Sequence, residues 1–193
     1  MALTDTIPRR LNSSNIEKAI KNYLHLLADL PLNIISSDPF DFLKKIKRKP
    51  VGTGPYPCVT LFEAANRIMT DLVILVGVRE LLRGKIPDLD FDEYIVELGN
   101  EDSHENDISA TRNGWHLRGE AFNVAESFFQ GKKTLMLKKL RKKSTSTDRL
   151  LLLFNSEAVS TTYVAKNRIN EYYLPVDIEC LKEEMTRITG TLS

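Results

Sequence analysis

The chain has 193 residues, 42% hydrophobic and 27% charged, with a formal net charge of +1. That length holds one domain with a full core, or a core plus an extension, and the near-balance of charge excludes a global field drawing the protein onto nucleic acid, so any basic surface must be local. No apolar run approaches the roughly 20 residues that cross a bilayer, the start MALTDTIPRR has no apolar signal-peptide core, and Cys58 and Cys180 show no metal-ligand spacing, which predicts reduced thiols in a cytoplasmic protein.

Residues 12–30 place Ile20, Leu24 and Leu27 at helical spacing behind Ser13 or Ser14 as cap, and predict an amphipathic helix. A second short helix is expected from the cap-like Ser37-Asp38-Pro39 to about Arg48. The Gly- and Pro-rich KRKPVGTGPYP reads as a linker. It divides the chain into an N-terminal helical extension, 1–50, and a main α/β domain, 51–193. Leu61, Ala64, Ile68, Leu72, Leu75 and Val76 predict a long helix over 60–83, and the apolar LVILVGV predicts its burial on more than one side. Gly84 is the expected terminator. FDEYIVELG alternates, with Tyr94, Val96 and Leu98 on one face, and predicts a strand. DISATR and WHLRGEAF follow as two more strands, then a helix over about 124–142 and the continuous apolar strand DRLLLLF. The segment 157–173 is ambiguous, Tyr172–Val176 reads as an edge strand, and an amphipathic helix closes the chain over about 178–188.

Asn113-Gly114 between two strand-like runs predicts a type I′ hairpin. In that register Arg112 pairs with Trp115, Thr111 with His116, Ala110 with Leu117, Ser109 with Arg118 and Ile108 with Gly119, which sets Asp107 opposite Glu120. One face of the hairpin carries Ile108, Ala110, Leu117 and Gly119, with Arg112 and Trp115 near the turn, and can pack. The other carries Asp107, Ser109, Thr111, His116, Arg118 and Glu120 and is polar throughout. Opposed carboxylates about 5 Å apart repel by about 3 kcal/mol at an effective dielectric near 20. A divalent cation would reverse that term; so would Arg118 on a solvated face, or protonation of one acid.

This order of elements, with an Asp opening the second strand and a Glu in the third, resembles the PD-(D/E)XK nuclease superfamily, which includes type II restriction endonucleases and Holliday-junction resolvases. The resemblance covers roughly residues 58–155. It implies a restriction-endonuclease-like core, a central mixed sheet flanked by helices, and divalent-metal-dependent hydrolysis of DNA phosphodiester bonds in restriction, repair or defence. Asp107 matches the first acid and Glu120, in GEAF, the second, so both are expected to hold Mg²⁺ or Mn²⁺. The family's lysine, two residues beyond the second acid, is replaced by Phe122. Some members place that lysine on the following helix, and Lys132 is the best candidate, because it falls within the stripe of Ala125, Phe128, Phe129, Leu135 and Met136. Alternatively it snorkels past Phe129 to water; Lys133 lies on the flank. Glu63 matches the acid that the family's first helix often adds to the metal site, although Thr60-x-x-Glu63 is also a capping box. Glu97, in the first strand, is expected to face solvent or serve structure. Many relatives cut as homodimers, so the resemblance makes a homodimer one assembly open to this chain, and a member that binds nucleic acid or a protein without catalysis is the alternative that Phe122 favours.

Residues 132–143, KKTLMLKKLRKK, set Lys138, Arg141 and Lys142 on an exposed basic strip, which fits either helix C-terminal electrostatics or contact with nucleic-acid phosphates. Lys44, Lys45, Lys47, Arg48 and Lys49 form a second basic cluster. His104, Asp107, His116 and Glu120 match no zinc spacing.

Overall fold

The computed structural model describes residues 3–31, 36, 38–99, 105–164 and 168–190. In chain order they form α1 (Leu3–Thr6), β1 (Arg10–Asn12), α2 (Ile16–Ala28), α3 (Pro39–Arg48), α4 (Leu61–Leu82), β2 (Glu93–Val96), β3 (Ile108–Arg112), β4 (Trp115–Phe122), α5 (Glu126–Lys143), β5 (Asp148–Asn155), β6 (Glu171–Val176) and α6 (Lys182–Thr189). The strands make one mixed sheet in sequential order, β1-β2-β3-β4-β5-β6. β1 to β4 pair antiparallel with one another; β5 lies parallel to β4, and β6 parallel to β5.

The hairpin has the expected register, from Arg112↔Trp115 to Ile108↔Gly119. Asn113 and Gly114 both have positive φ, 50° and 81°, as the type I′ turn requires. Side-chain alternation then sends Ile108, Ala110, Leu117 and Ala121 to one face and Glu120 and Phe122 to the other.

The first face packs on α4, which is backed by α2. Every residue of α4 from Asp71 to Arg79 is buried, in keeping with an apolar run that has no polar side. Gly77 permits the close approach to the sheet, since a Cβ there would lie 2.4 Å from Leu153 Cδ1. The opposite face holds a smaller core under α5, where Phe122, Phe129 and Phe154 pack together and Tyr163 closes on Phe129 and Phe154 edge-on.

Several details differ from expectation. The helix expected over 12–30 with Ser13 or Ser14 as cap is shorter, Ile16–Ala28 with Asn15 at the cap position, and Asn12 ends a strand, Arg10–Asn12, that pairs with Glu93–Ile95 and buries Leu11 fully. The helix starts only at Ile16, with Asn15 accepting from Asn12 N–H and donating to Arg10 O. The expected boundary near residue 50 therefore does not separate two cores, because Leu3, Leu11, Ile20 and Leu24 share a core with α4 and the sheet. The inward face of α5 is also displaced from the expected stripe. Phe129, Leu137 and Leu140 are buried, whereas Phe128 and Leu135 are exposed. At the turn, Trp115 and Arg112 are exposed rather than packed, with Arg149 stacked on Trp115 at 4.7 Å. Both cysteines are free, and among the described residues no helix is long and apolar enough to cross a membrane.

Integration of β1 has a measurable consequence. Leu11→Ala is expected to lower the stability of the whole chain by about 2–5 kcal/mol, the usual cost of a buried Leu→Ala cavity. Urea denaturation followed by circular dichroism should show one transition moved to lower denaturant; an unmoved main transition would mark the N-terminal segment as separable.

Candidate active site

Strand pairing carries three acidic residues into one row. Glu97 N–H donates to Asp107 O at 2.9 Å, one step beyond the Val96↔Ile108 pair, and Asp107 stands one step beyond Ile108↔Gly119, beside Glu120. The row therefore crosses the ends of β2, β3 and β4. It opens into a cleft of about 520 Å³ whose walls include Glu63, Asp71, Lys132 and Lys139.

Glu120 is only 2% exposed. Its Oε2 accepts from Lys139 Nζ at 2.8 Å, while Oε1 is buried with no hydrogen-bond partner among the described residues. Burial, reinforced by the charge of Asp107, pushes the Glu120 carboxyl up to about 7 against the pull of Lys139. Asp107 Oδ2 accepts from Ala121 N–H at 2.8 Å. Its carboxyl is also raised, first by burial and then by Glu97, against Ala121 N–H, Lys139 and Lys132. A nearby buried amide nitrogen, Asn123 Nδ2, likewise has no partner.

The residues expected to share this site converge on it unequally. Asp107, Glu120, Glu63 and Lys132 all line the cleft. Lys132 makes no ion pair among the described residues. Lys139, seven residues further along α5 and so on nearly the same helical face, reaches Glu120 instead. The sequence reading missed Lys139; the spacing of Lys132, Met136 and Lys139 was its signal. Arg118 does not offset the paired acids. It binds Asp148 at 2.9 Å and Glu105 at 3.0 Å, because β5, parallel to β4, brings Asp148 alongside His116. Glu97 is buried and faces the cleft rather than solvent. The capping box is half made: Thr60 Oγ1 accepts from Glu63 N–H at 3.3 Å, but the Glu63 carboxylate pairs with Arg67 at 2.5 Å. Lys133 sits among Phe129, Tyr163 and Tyr173 and donates to Tyr163 Oη, away from the acids.

The basic strip is also divided. Arg141 forms a two-point ion pair with Glu171, at 2.6 and 2.9 Å, which leaves Lys138 and Lys142 without an ion pair among the described residues. In the second basic cluster Lys45 pairs with Asp41, and Lys47 lies 3.3 Å from the Phe62 ring centroid. His104 lies outside the described residues, and His116 is exposed and contacts Thr111.

The back wall of the cleft is Asp71, a buried acid within the apolar run of α4. It accepts from Tyr23 Oη at 2.6 Å, from Tyr56 Oη and from Gly99 N–H at 3.0 Å. Arg67, one turn earlier, donates to Gly99 O at 2.8 Å. The peptide groups flanking Gly99 are thus held from both sides by α4, two residues beyond Glu97. Burial raises the Asp71 carboxyl to about 6, despite these three donors.

Mg²⁺ uses one or two carboxylates and keeps several waters. Asp107 and Glu120 satisfy that donor chemistry, and the unpartnered Oε1 is the atom that a cation would satisfy. Among the described residues no group of three or more His, Cys, Asp or Glu side chains is gathered to hold a metal by itself. Family models, curated proteins and solved structures give no match to the chain.

The raised Glu120 carboxyl sets a pH dependence. Unfolded, the group ionises near its ordinary 4.5; folded, it keeps its proton to about 7. The folded state therefore loses Glu120's contribution as pH rises through that window. Glu120→Gln, which removes the ionisation, is expected to raise the thermal midpoint in EDTA more at pH 8 than at pH 5. An equal shift at both values would show that the carboxyl titrates normally.

Proposed function

We propose that this chain is a divalent-metal-dependent nuclease that hydrolyses DNA phosphodiester bonds in the cytoplasm, in a restriction, repair or defence role. The observation that carries the proposal is the Asp107–Glu120 pair: two adjoining carboxylates, one with a buried oxygen that meets no donor among the described residues, in a cleft also lined by Lys132 and Lys139. Purely structural use of Glu120 is a costly design, since burying an incompletely compensated carboxylate opposes folding. The order α4, β2, β3, β4, α5, β5, with β5 parallel to β4, supports the resemblance to the PD-(D/E)XK superfamily.

Asp107 and Glu120 would hold Mg²⁺ or Mn²⁺, with Glu63 and Glu97 near enough in the cleft to bind its waters. When bound, the ion would polarise the phosphoryl group and make a neighbouring water more acidic. The chain's own residues supply the rest. Ala121 N–H fixes Asp107 by donating to one of its carboxylate oxygens at the cleft. Lys139 pairs with one oxygen of Glu120 and presents an ammonium at the cleft wall. Lys132, with no ion pair among the described residues, is placed to meet a substrate phosphate and the negative charge that develops on it. Phe122 cannot take this role, because it is packed against Phe154 in the second core; the two lysines of α5 supply the cation instead.

The same pairing supports a second reading. Lys139 already meets one oxygen of the Glu120 carboxylate, as it would in a nuclease-fold protein that binds nucleic acid or a protein without cutting, with lysine in the cation's place.

Asp107→Asn and Glu120→Gln are each expected to abolish strand cleavage at fixed Mg²⁺ and to weaken Mn²⁺ binding at least tenfold by calorimetry, with the fold retained. Lys132→Ala and Lys139→Ala should each lose most of the cleavage activity; Lys132→Ala should keep Mn²⁺ affinity. Wild-type protein that binds no divalent ion and cuts no DNA would decide for the non-catalytic reading.

A further inference from the structure

One face of α5 belongs neither to the core nor to the cleft. At 100° per residue, Phe128, Gly131, Leu135, Lys138 and Lys142 fall on one side of the helix. Phe128 is 69% exposed and Leu135 58%, although both are large apolar side chains. Gly131 lies between them, with no atom within 4 Å of the place a Cβ would occupy, so the backbone there is bare. Val124, Ser127, Phe128, Gly131, Lys132 and Leu135 line a groove of about 430 Å³. Val124 and Lys132 also line the cleft, so the groove runs directly into the site of Glu120 and Lys139. Lys132, Lys138 and Lys142 make no ion pair among the described residues.

We propose that this face is a track for single-stranded nucleic acid, along which Phe128 stacks on an unpaired base while Lys132, Lys138 and Lys142 take phosphates. The proposal rests on the nuclease reading of the adjoining cleft and names its substrate class: a single strand or a splayed end rather than a closed duplex. Single strands are bound by aromatic side chains on which bases stack, combined with a cationic groove that follows the backbone. The bases of a closed duplex are already stacked on one another and have no free face for Phe128. Gly131 lets a base or sugar come against the helix itself. From Phe128 to Lys142 the track is about 21 Å long, at 1.5 Å per residue, which accommodates several nucleotides.

Charge decides against a second copy of the chain as the occupant. Residues 132–143 carry seven basic side chains and no acidic one. Two such helices facing each other would oppose like charges across the interface. A polyanion with apolar bases matches both halves of the face, and continuity with the cleft gives it a direction of entry.

Fluorescence anisotropy tests the track in EDTA, where no strand is cut, with a labelled oligothymidylate and a labelled hairpin duplex as probes. The single strand is expected to bind more tightly than the duplex. Phe128→Ala should weaken single-strand binding by about tenfold, the scale of one lost base stack, with duplex binding and the thermal midpoint unchanged. Phe128→Tyr should restore it. Replacing Lys138 and Lys142 together with Ala should flatten the logarithmic salt slope for the single strand by about 1.4, corresponding to two phosphate contacts. Equal binding of both probes, unaltered by Phe128→Ala, overturns the track, while cleavage and Mn²⁺ binding by wild-type protein still decide the nuclease reading on their own. No binding of either probe also overturns it. A wild-type dimer in sedimentation velocity that Phe128→Ala dissociates would assign the face to a second copy and overturn the track as well.

Discussion

A carboxylate taken out of water must meet donors or cations, or it weighs against the fold. Glu120 is such a group, almost wholly buried between β4 and α5 with Asp107 beside it. Lys139 reaches across from α5 to one of its oxygens, and the other has no partner among the described residues. The arrangement sets the placement of α5, which must both cover the aromatic core around Phe129 and Phe154 and deliver a cation to the end of β4. It also leaves a partly compensated pair of acids facing a cleft, the condition under which a divalent cation gains most from binding.

β4 achieves this by being buried on both faces over its last residues, Gly119 to Phe122. Leu117 and Ala121 pack toward α4, while Glu120 and Phe122 point toward α5. A strand used on both faces cannot have a solvated polar side. The polar residues on the α5 side are therefore matched individually: Arg118 by Asp148 and Glu105, Glu120 by Lys139. Across the sheet the same economy holds at Glu171, which Arg141 meets at two points and Tyr173 at a third. The basic residues of α5 are thus not one surface. Arg141 and Lys139 are committed to buried acids, and Lys132, Lys138 and Lys142 are not.

The opposite wall depends on a second buried acid. Asp71 draws Tyr23 from α2, Tyr56 from the loop before α4 and the backbone at Gly99 into one node. This node ties the N-terminal segment to the strand end that carries Glu97. With β1 in the sheet and Leu11 in the core, it joins β1 and α2 to the core that supports the site.

Local pattern was sufficient for the hairpin. Asn113-Gly114 dictates a turn with positive φ, the turn dictates the register, and the register places Asp107 beside Glu120; each step involves residues close in sequence. The length and full burial of α4 were legible for a similar reason, since an apolar run without a polar side has to be enclosed. β1 was not legible, because three residues carry no periodicity and their partners lie more than 80 positions away. The partners of the charged residues were hidden as well. Arg118 pairs with Asp148 through a parallel strand, and Lys139 with Glu120 through the docking of a helix, so both depend on how elements assemble in space. The sequence by itself determined which acids stand together, because covalent connection and alternation along two adjacent strands specify that geometry. Only the tertiary structure decided which cations answer them and which faces meet water, because electrostatic pairing and burial depend on distance through space and the chain encodes distance only along itself.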